Sequence, residues 1–226
     1  MFIGVDLGST NIKAAIYNKD MKLTDRRSRP VEYIRDNGFV EFDAEKYCDD
    51  LIALLGEMIA ENQVAQVRQI AFTGQAESLV VVGADGKALM NAISWMDERS
   101  TAECEELSKL FDDATCEAVT GQMAVLPTWP ATKIAWLRKH RPDVYNNAAT
   151  YMLLKDYVVF RLTGQKLADM SIATFSFYFD IYNKCYWKEM LSAIGIKENQ
   201  LPQLCEPCSV AGTLLPEVAE KTGMST

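Results

Sequence analysis

Short runs of apolar residues, separated by small and polar ones, predict three strands and a helix at the start of the chain. Connections of five and three residues separate the predicted strands, which lie near Phe2–Asp6, Ile12–Tyr17 and Met21–Ser28. From residue 44 onward the apolar residues recur every three or four positions, which predicts a helix over Ala44–Glu61 with Asp43 as its N-cap. A buried strand that ends at Thr73 follows. Because a helical crossover favours a parallel partner, we expect an antiparallel meander joined to a parallel strand.

The rest of the chain alternates between short strands and helices. The pair Asp85-Gly86 between two apolar runs predicts a hairpin, formed by Ser78–Val82 and Ala88–Trp95. A further strand is predicted over Thr150–Leu154. Helices are predicted over Arg99–Phe111, Pro130–Lys139, Asp156–Leu162 and Pro216–Lys221. This order of elements predicts an α/β fold with a mixed sheet and helices on both faces.

Composition and charge narrow the function classes. The 226 residues are 49% hydrophobic and 24% charged, and 31 acidic against 23 basic residues give a formal net charge of −8. That charge disfavours general binding to nucleic-acid backbones. No apolar run reaches the roughly 18 residues that a membrane span requires, and the first residues lack the basic region of a signal peptide. We therefore expect a cytoplasmic protein with neither a nucleic acid nor a membrane as partner.

Six cysteines and one histidine offer little for metal or redox chemistry. Cys205 and Cys208 have the spacing of a zinc or redox pair, but a structural zinc site needs two further ligands and His140 has no second histidine near it. Free thiols are the expected state in a chain without a secretion signal. A histidine-based catalytic triad is disfavoured for the same lack of partners.

The turn between the first two predicted strands carries the most informative candidate for ligand chemistry. Gly8 allows the backbone to approach a ligand closely, and consecutive turn amides with the hydroxyls of Ser9 and Thr10 can hold phosphate oxygens. Asp6 suits a hydrated Mg²⁺, and Lys13 supplies a positive charge. A plain hairpin with a small-residue turn is the alternative, and this stretch alone does not decide between the two.

Several further motifs make the chain similar to the FGGY family of carbohydrate kinases. In the family's order and spacing they are Asp6–Lys13 (the first phosphate motif), Gly74–Ser78 (Gly-Gln-x-x-Gly), Asn91–Arg99 (Ala-Ile-x-Trp-x-Asp-x-Arg), Pro130–Leu137 (the first family signature), Lys155–Tyr157, Leu162–Gly164 and Ala168–Ser171. The resemblance covers the chain from end to end, and several ordered motifs together are more specific than any one of them.

The resemblance implies a ribonuclease H-like, actin-like ATPase domain, and ATP-dependent transfer of a phosphoryl group to a sugar or polyol hydroxyl with Mg²⁺. By position, Asp6 would hold the metal ion. The nucleotide phosphates would contact Gly8, Ser9, Thr10 and Lys13. The sugar would contact Gln75, Ala76, Glu77, Trp95 and Asp97, with Asp169 in the pocket wall. The implied partners are therefore a small-molecule sugar or polyol and ATP, and a homodimer is compatible with the resemblance.

The implied sugar site follows neither of two patterns found in relatives. Kinases that take glycerol have an Arg-Glu pair where this chain has Ala76 and Glu77, and an aromatic residue where it has Thr128. Xylulose kinases have a Met-His pair at the positions of Ala76 and Glu77. A pentulose such as xylulose is the favoured substrate, with glycerol or gluconate as alternatives. From the residues alone, Trp95 could also be a core aromatic and Glu77 a solvated loop carboxylate.

In the family, the catalytic aspartate lies in a Gly-Gly-x-Asp turn beyond the segment that resembles Leu214–Thr226. We therefore expect residues 1–226 to be the N-terminal sugar-binding domain, without the catalytic aspartate or the C-terminal nucleotide-binding domain, and to be inactive alone. A non-catalytic sugar-sensing domain is the alternative, although a pure sensor has no need of Asp6 and Lys13. The resemblance around Gln75 to Ser78 disfavours an actin-like structural protein.

Overall fold

The computed structural model describes residues 1–226, which form thirteen strands, nine α-helices and one 3₁₀ turn at Glu198–Gln200. The strands are β1 (Phe2–Leu7), β2 (Asn11–Tyr17), β3 (Leu23–Pro30), β4 (Ile34–Asp36), β5 (Phe39–Phe42), β6 (Gln69–Gly74), β7 (Leu79–Val82), β8 (Ala92–Ile93), β9 (Thr150–Leu153), β10 (Leu167–Asp169), β11 (Phe179–Asp180), β12 (Cys185–Tyr186) and β13 (Gln203–Cys205). The helices are α1 (Ala44–Glu61), α2 (Thr101–Ser108), α3 (Asp113–Thr120), α4 (Pro130–His140), α5 (Pro142–Asn147), α6 (Leu154–Thr163), α7 (Met170–Ala173), α8 (Lys188–Ile194) and α9 (Pro216–Thr222). The predicted α/β class is confirmed.

The first sheet has the topology that the apolar runs predict. β1 pairs antiparallel with β2 and β2 with β3, while β6 pairs parallel with β1, which gives the order β3-β2-β1-β6. The chain reaches β6 through α1, so the crossover that a parallel pair requires contains a helix. The Asp43 side chain accepts hydrogen bonds from the N–H groups of Glu45 and Lys46 at 2.9 and 3.0 Å. The helix therefore begins where its N-cap predicts.

Helix α1 covers one face of the first sheet. Its inward residues join a cluster of 26 buried residues with alternate residues of β1 and β2, namely Ile3, Val5, Leu7, Ile12, Ala14 and Ile16. Side chains alternate between the two faces of a strand, so the intervening residues of β1 lie on the opposite, half-exposed face. Asp6 and Lys13 belong to that opposite face.

A second sheet, of order β4-β5-β8-β7-β9, separates this cluster from another. Val80 and Val82 of β7 pack in the first cluster, whereas Leu79 and Val81 pack in a second cluster of 22 residues that includes residues of α4 and α8. A strand buried on both faces has no polar side, which explains the continuous apolar run of β7. Hydrogen bonds join the segments that follow β1, β6 and β8.

Several elements are shorter than predicted. Of the predicted strand Ala88–Trp95, only Ala92–Ile93 pairs as β8, because the hairpin at Asp85-Gly86 makes one isolated bridge, Val82–Ala88. Helix α2 begins at Thr101 instead of Arg99 because Arg99 is bound to Asp97 through its N–H and guanidinium. The apolar pattern of the sequence does not predict α3, α5, α7, α8, β4, β5 or β10–β13, which are all eight residues or fewer.

No helix combines the length and the apolar composition needed to cross a bilayer. The six cysteines are free thiols, of which Cys48 and Cys116 are buried. No three or more His, Cys, Asp or Glu side chains are grouped so that they could hold a metal ion by themselves.

Candidate active site

The turn between β1 and β2 is shaped by a glycine and by the register of the two strands. A Cβ atom at Gly8 would lie 2.6 Å from the Asn11 carbonyl oxygen, so a larger residue would displace the backbone. In the β1–β2 register Asp6 lies opposite Lys13, and Lys13 Nζ is 3.0 Å from Asp6 Oδ2. Both side chains are exposed, so this ion pair contributes little to stability. It does place a carboxylate and an ammonium group beside the turn.

A second segment, Gln75–Glu77, follows β6 and lies beside this turn. Because β1 and β6 are parallel, their carboxyl ends meet at the same edge, with Gly74 opposite Leu7. A Cβ atom at Gly74 would lie 2.5 Å from Leu7 Cβ, so glycine is required for this close approach. The Gln75 N–H donates to Leu7 O at 3.0 Å, and Gln75 Nε2 donates to Gly8 O at 3.4 Å. The two segments are therefore fixed against each other.

A ring of hydrogen bonds extends from this contact to the indole of Trp95. Ser78 Oγ donates to Gln75 Oε1 at 2.8 Å and accepts from the Trp95 N–H at 3.1 Å. Trp95 Nε1 donates to Ser9 Oγ at 3.0 Å, which closes the ring through Gly8. The Trp95 side chain is 40% exposed, so one part of the indole lines an open surface. Because Ser9 Oγ accepts from the indole, its own proton is free to be donated to a ligand.

Glu77 has a backbone φ of +64°, in the left-handed region that favours glycine. Such conformations cost about 1–3 kcal/mol and are concentrated at functional sites. The carboxylate is half-buried, and Thr128 Oγ1 lies 3.1 Å from Glu77 Oε2 and 2.8 Å from Trp95 O. Burial raises the pKa of Glu77, and the Thr128 hydroxyl and the nearby Lys133 charge offset part of that rise. Glu77 is thus a half-buried acceptor linked through Thr128 to Trp95, and the part of the surface that these two side chains reach is called the opening.

Beneath these loops lies Lys133 of α4, a residue to which the sequence motifs assign no role. Its side chain is fully buried, and its Nζ donates to Ser94 O at 2.8 Å and Thr128 O at 2.7 Å, with Glu77 O at 3.5 Å. Burial lowers its pKa to about 7. The sequence signal for it is a single lysine among the inward-facing apolar residues of a helix.

Asp97 is fully buried, and both of its carboxylate oxygens have protein partners. Oδ2 accepts from the Val40 N–H at 2.6 Å and from Arg99 Nη2 at 2.7 Å, and Oδ1 accepts from Arg99 Nε at 2.8 Å. The Arg99 guanidinium lies 4.0 Å from the ring centre of Phe39 and 4.9 Å from that of Trp136. Burial acts to raise the pKa of Asp97, but the hydrogen bonds from Arg99 and Val40 outweigh it and leave the pKa below its ordinary value. This arrangement leaves no oxygen of Asp97 facing the opening.

Asp169 belongs to a separate cluster of charged residues. It caps α7 by accepting from the N–H groups of Ser171 and Ile172 at 3.0 and 3.2 Å, and it pairs with Lys155. Asp156 is fully buried with one oxygen 3.3 Å from Lys155 Nζ, and burial raises its pKa to about 7. No hydrogen bond or ion pair joins this cluster to the ring of hydrogen bonds described above.

The structure thus brings most of the residues singled out in the sequence to one edge of the first sheet. They are Asp6, Gly8, Ser9, Thr10 and Lys13 at the turn, and Gln75, Ala76, Glu77 and Trp95 beside it. Asp97 supports the segment next to Trp95, and Asp169 lies apart. Chemically, backbone amides and hydroxyls suited to an anion stand next to a carboxylate and an indole suited to a hydroxylated carbon chain.

Known proteins with similar sequences and folds include kinases of several sugars and polyols. The chain is 31% identical to a xylulose kinase of Bacillus subtilis over 98% of its length and 45% of that protein. It is 29% identical to a glycerol kinase of Gluconobacter oxydans over 93% of its length and 43% of that protein. The crystal structure of a xylulose kinase from Rhodospirillum rubrum superposes with a TM-score of 0.94 at 25% identity, over 99% of this chain and 46% of that one.

The chain therefore spans about half the length of the curated relatives it matches. Over residues 1–226 the sequence also matches the profile described as the FGGY family of carbohydrate kinases, N-terminal domain. The ordered motifs, the sheet topology and these matches agree along the whole chain, and the chain belongs to the FGGY family of carbohydrate kinases.

Proposed function

We propose that this chain is the sugar-binding half of an ATP-dependent carbohydrate kinase. The observation that carries the proposal is the hydrogen-bond ring through Gly8, Gln75, Ser78, Trp95 and Ser9, which fixes an anion-suited turn directly against a sugar-suited wall. Phosphoryl transfer depends mainly on positioning and on charge stabilisation. A rigid connection between the two half-sites meets the first of these needs.

In this proposal the turn binds the nucleotide phosphates. The backbone amides of Gly8–Thr10 and the hydroxyls of Ser9 and Thr10 donate to phosphate oxygens, and Lys13 balances their charge. The exposed Asp6 carboxylate has Lys13 as its one protein partner, and Mg²⁺ in nucleotide sites commonly takes one or two carboxylates with phosphate and water oxygens, so the donor set fits this ion. A magnesium ion held there would neutralise part of the charge on the phosphates.

The sugar lies against Glu77 and Trp95. The Glu77 carboxylate accepts hydrogen bonds from hydroxyl groups, and the indole face packs on C–H groups. Asp97 orders the adjoining backbone without touching the sugar. Asp169, which lies in the separate cluster with Lys155, would reach the sugar only at the outer wall of the pocket. A pentulose such as xylulose is our favoured substrate, because the sequence is similar to xylulose kinases over nearly its whole length. We further propose that the adenine contacts and the catalytic base are supplied from outside these 226 residues.

The test is sugar-dependent formation of ADP by the full-length protein that contains this chain. Xylulose, ribulose, glycerol and gluconate are compared at equal concentration with ATP and Mg²⁺. We expect turnover with one of the pentuloses to exceed that with the others. Sugar binding without ATP turnover by the full-length protein would instead favour a sugar-sensing function, and turnover with glycerol or gluconate alone would correct the substrate.

A further inference from the structure

Lys133 is an ammonium group held in the protein interior without a carboxylate partner. All three of its acceptors are backbone carbonyl oxygens, those of Glu77, Ser94 and Thr128. They come from three segments that are far apart in the sequence and are connected here through one nitrogen atom. Burying an ion lowers the stability of the fold unless the ion is well coordinated, so a buried lysine is unfavourable as a purely structural residue.

The three carbonyl groups belong to the segments that form the sugar wall. Glu77 carries the carboxylate of the wall, Ser94 precedes Trp95, and the Thr128 hydroxyl lies within hydrogen-bond distance of both Glu77 Oε2 and Trp95 O. A displacement of any one carbonyl therefore moves the carboxylate relative to the indole. Lys133 itself has no exposed surface and cannot touch a ligand in the opening.

We propose that Lys133 is a positioning residue for the sugar, and that its ammonium group holds the three wall segments in the one arrangement that binds substrate. This inference rests on the proposed function. A neutral amine has two N–H donors for three acceptors, whereas the ammonium has three. The arrangement is therefore complete only while Lys133 is protonated.

The first test replaces Lys133 by methionine, which keeps the length of the side chain and removes every donor. The control is Lys139→Met on the same helix, where the lysine is 43% exposed and pairs with Glu106. In the full-length protein, Lys133→Met should raise the sugar KM by about ten-fold or more and leave the ATP KM within about two-fold, since charge-assisted hydrogen bonds to the wall are lost. The control should change neither. A lower melting temperature with an unchanged sugar KM would mean a structural role only and would overturn the proposal.

The second test needs no variant, so it stands even if Lys133→Met fails to fold. Burial lowers the pKa of Lys133 to about 7, the charges of Asp97 and Glu77 raise it, and Arg99 lowers it. The sugar KM of the wild-type protein should therefore rise as the pH increases above about 7, while the ATP KM stays level. Glu77, whose pKa burial raises from its ordinary value, loses its charge as the pH falls and not as the pH rises. A sugar KM that does not change between about pH 7 and pH 9 would overturn the proposal.

Failure of the proposed function gives a different result. If the wild-type protein forms no ADP with any sugar, the kinase proposal is wrong. Calorimetric titration with the sugars then tests Lys133 directly. A lower affinity of Lys133→Met than of wild type and Lys139→Met would support the positioning role, whereas equal affinities, or no sugar binding by the wild-type protein, would overturn it.

Discussion

Replacing Asp97 by asparagine distinguishes the sugar-contact role that the sequence resemblance implies from the supporting role that the structure assigns. Asparagine keeps the shape and can still accept the hydrogen bond from the Val40 N–H. It removes the negative charge that faces the Arg99 guanidinium, whose side chain is 1% exposed. Glu41, at 2.8 Å from Arg99, remains as the second acidic partner.

The loss in stability follows from the burial of this pair. Removing one partner of a buried ion pair costs about 3–5 kcal/mol, and the remaining pair with Glu41 favours the lower value. For a chain of 150–250 residues each kcal/mol shifts the melting temperature by about 2–4 °C, so Asp97→Asn should lower it by about 6–12 °C. Because the pKa of Asp97 is depressed in the folded state, its contribution is complete above about pH 5 and is lost as the pH falls through the folded-state pKa.

Asp143 offers a matched control for this measurement. It pairs with Arg141 through two hydrogen bonds at 3.0 and 3.1 Å, but the two side chains are 65% and 43% exposed. Asp143→Asn should lower the melting temperature by less than about 4 °C, since exposed pairs contribute about 0–1 kcal/mol. Thermal unfolding of the 226-residue chain followed by circular dichroism gives both values. Equal small shifts for the two variants, together with a raised sugar KM for Asp97→Asn in the full-length protein, would refute the supporting role and return Asp97 to the sugar pocket.

Three further predictions concern the kinetics of the full-length protein, measured with sugar and ATP varied independently. Glu77→Ala should raise the sugar KM by about ten- to a hundred-fold, because a charge-assisted hydrogen bond of about 1.5–3 kcal/mol is lost. The control is Glu105→Ala, at an exposed position. An unchanged sugar KM in Glu77→Ala would remove Glu77 from the pocket. Asp6→Asn should lower kcat by about ten- to a hundred-fold with little effect on the sugar KM, and a wild-type kcat would contradict the metal assignment. Trp95→Phe keeps an aromatic face but loses the bond to Ser9, so the ATP KM should rise by about two- to ten-fold; an ATP KM equal to that of wild type would show that Ser9 does not need the indole.

The sequence by itself determined those parts of the fold that depend on local patterns. The period of the apolar residues and the Asp43 cap predict α1 to the residue, because both act within a few turns of helix. The meander of β1–β3 and the parallel β6 follow from loop lengths, which restrict how neighbouring strands can pair. The Asn37-Gly38 turn of the β4–β5 hairpin, with φ of +49° and +85°, is also a readable local signal, although its strands are too short for the apolar pattern to reveal.

Only the tertiary structure decided which polar residues face the opening. Asp97 and Glu77 are both loop carboxylates in family motifs, yet Asp97 is sealed by Arg99 and Val40 whereas Glu77 remains half-exposed. In the sequence Lys133 is a single lysine among the apolar residues of a helix, and only the fold brings the Glu77 and Ser94 carbonyl oxygens to its nitrogen. These outcomes include contacts between residues 39, 56 and 57 positions apart, and a sequence pattern of short range carries no information about such contacts. Periodicity records which face of an element is buried, but the burial, partners and pKa of a polar group are properties of the assembled neighbours.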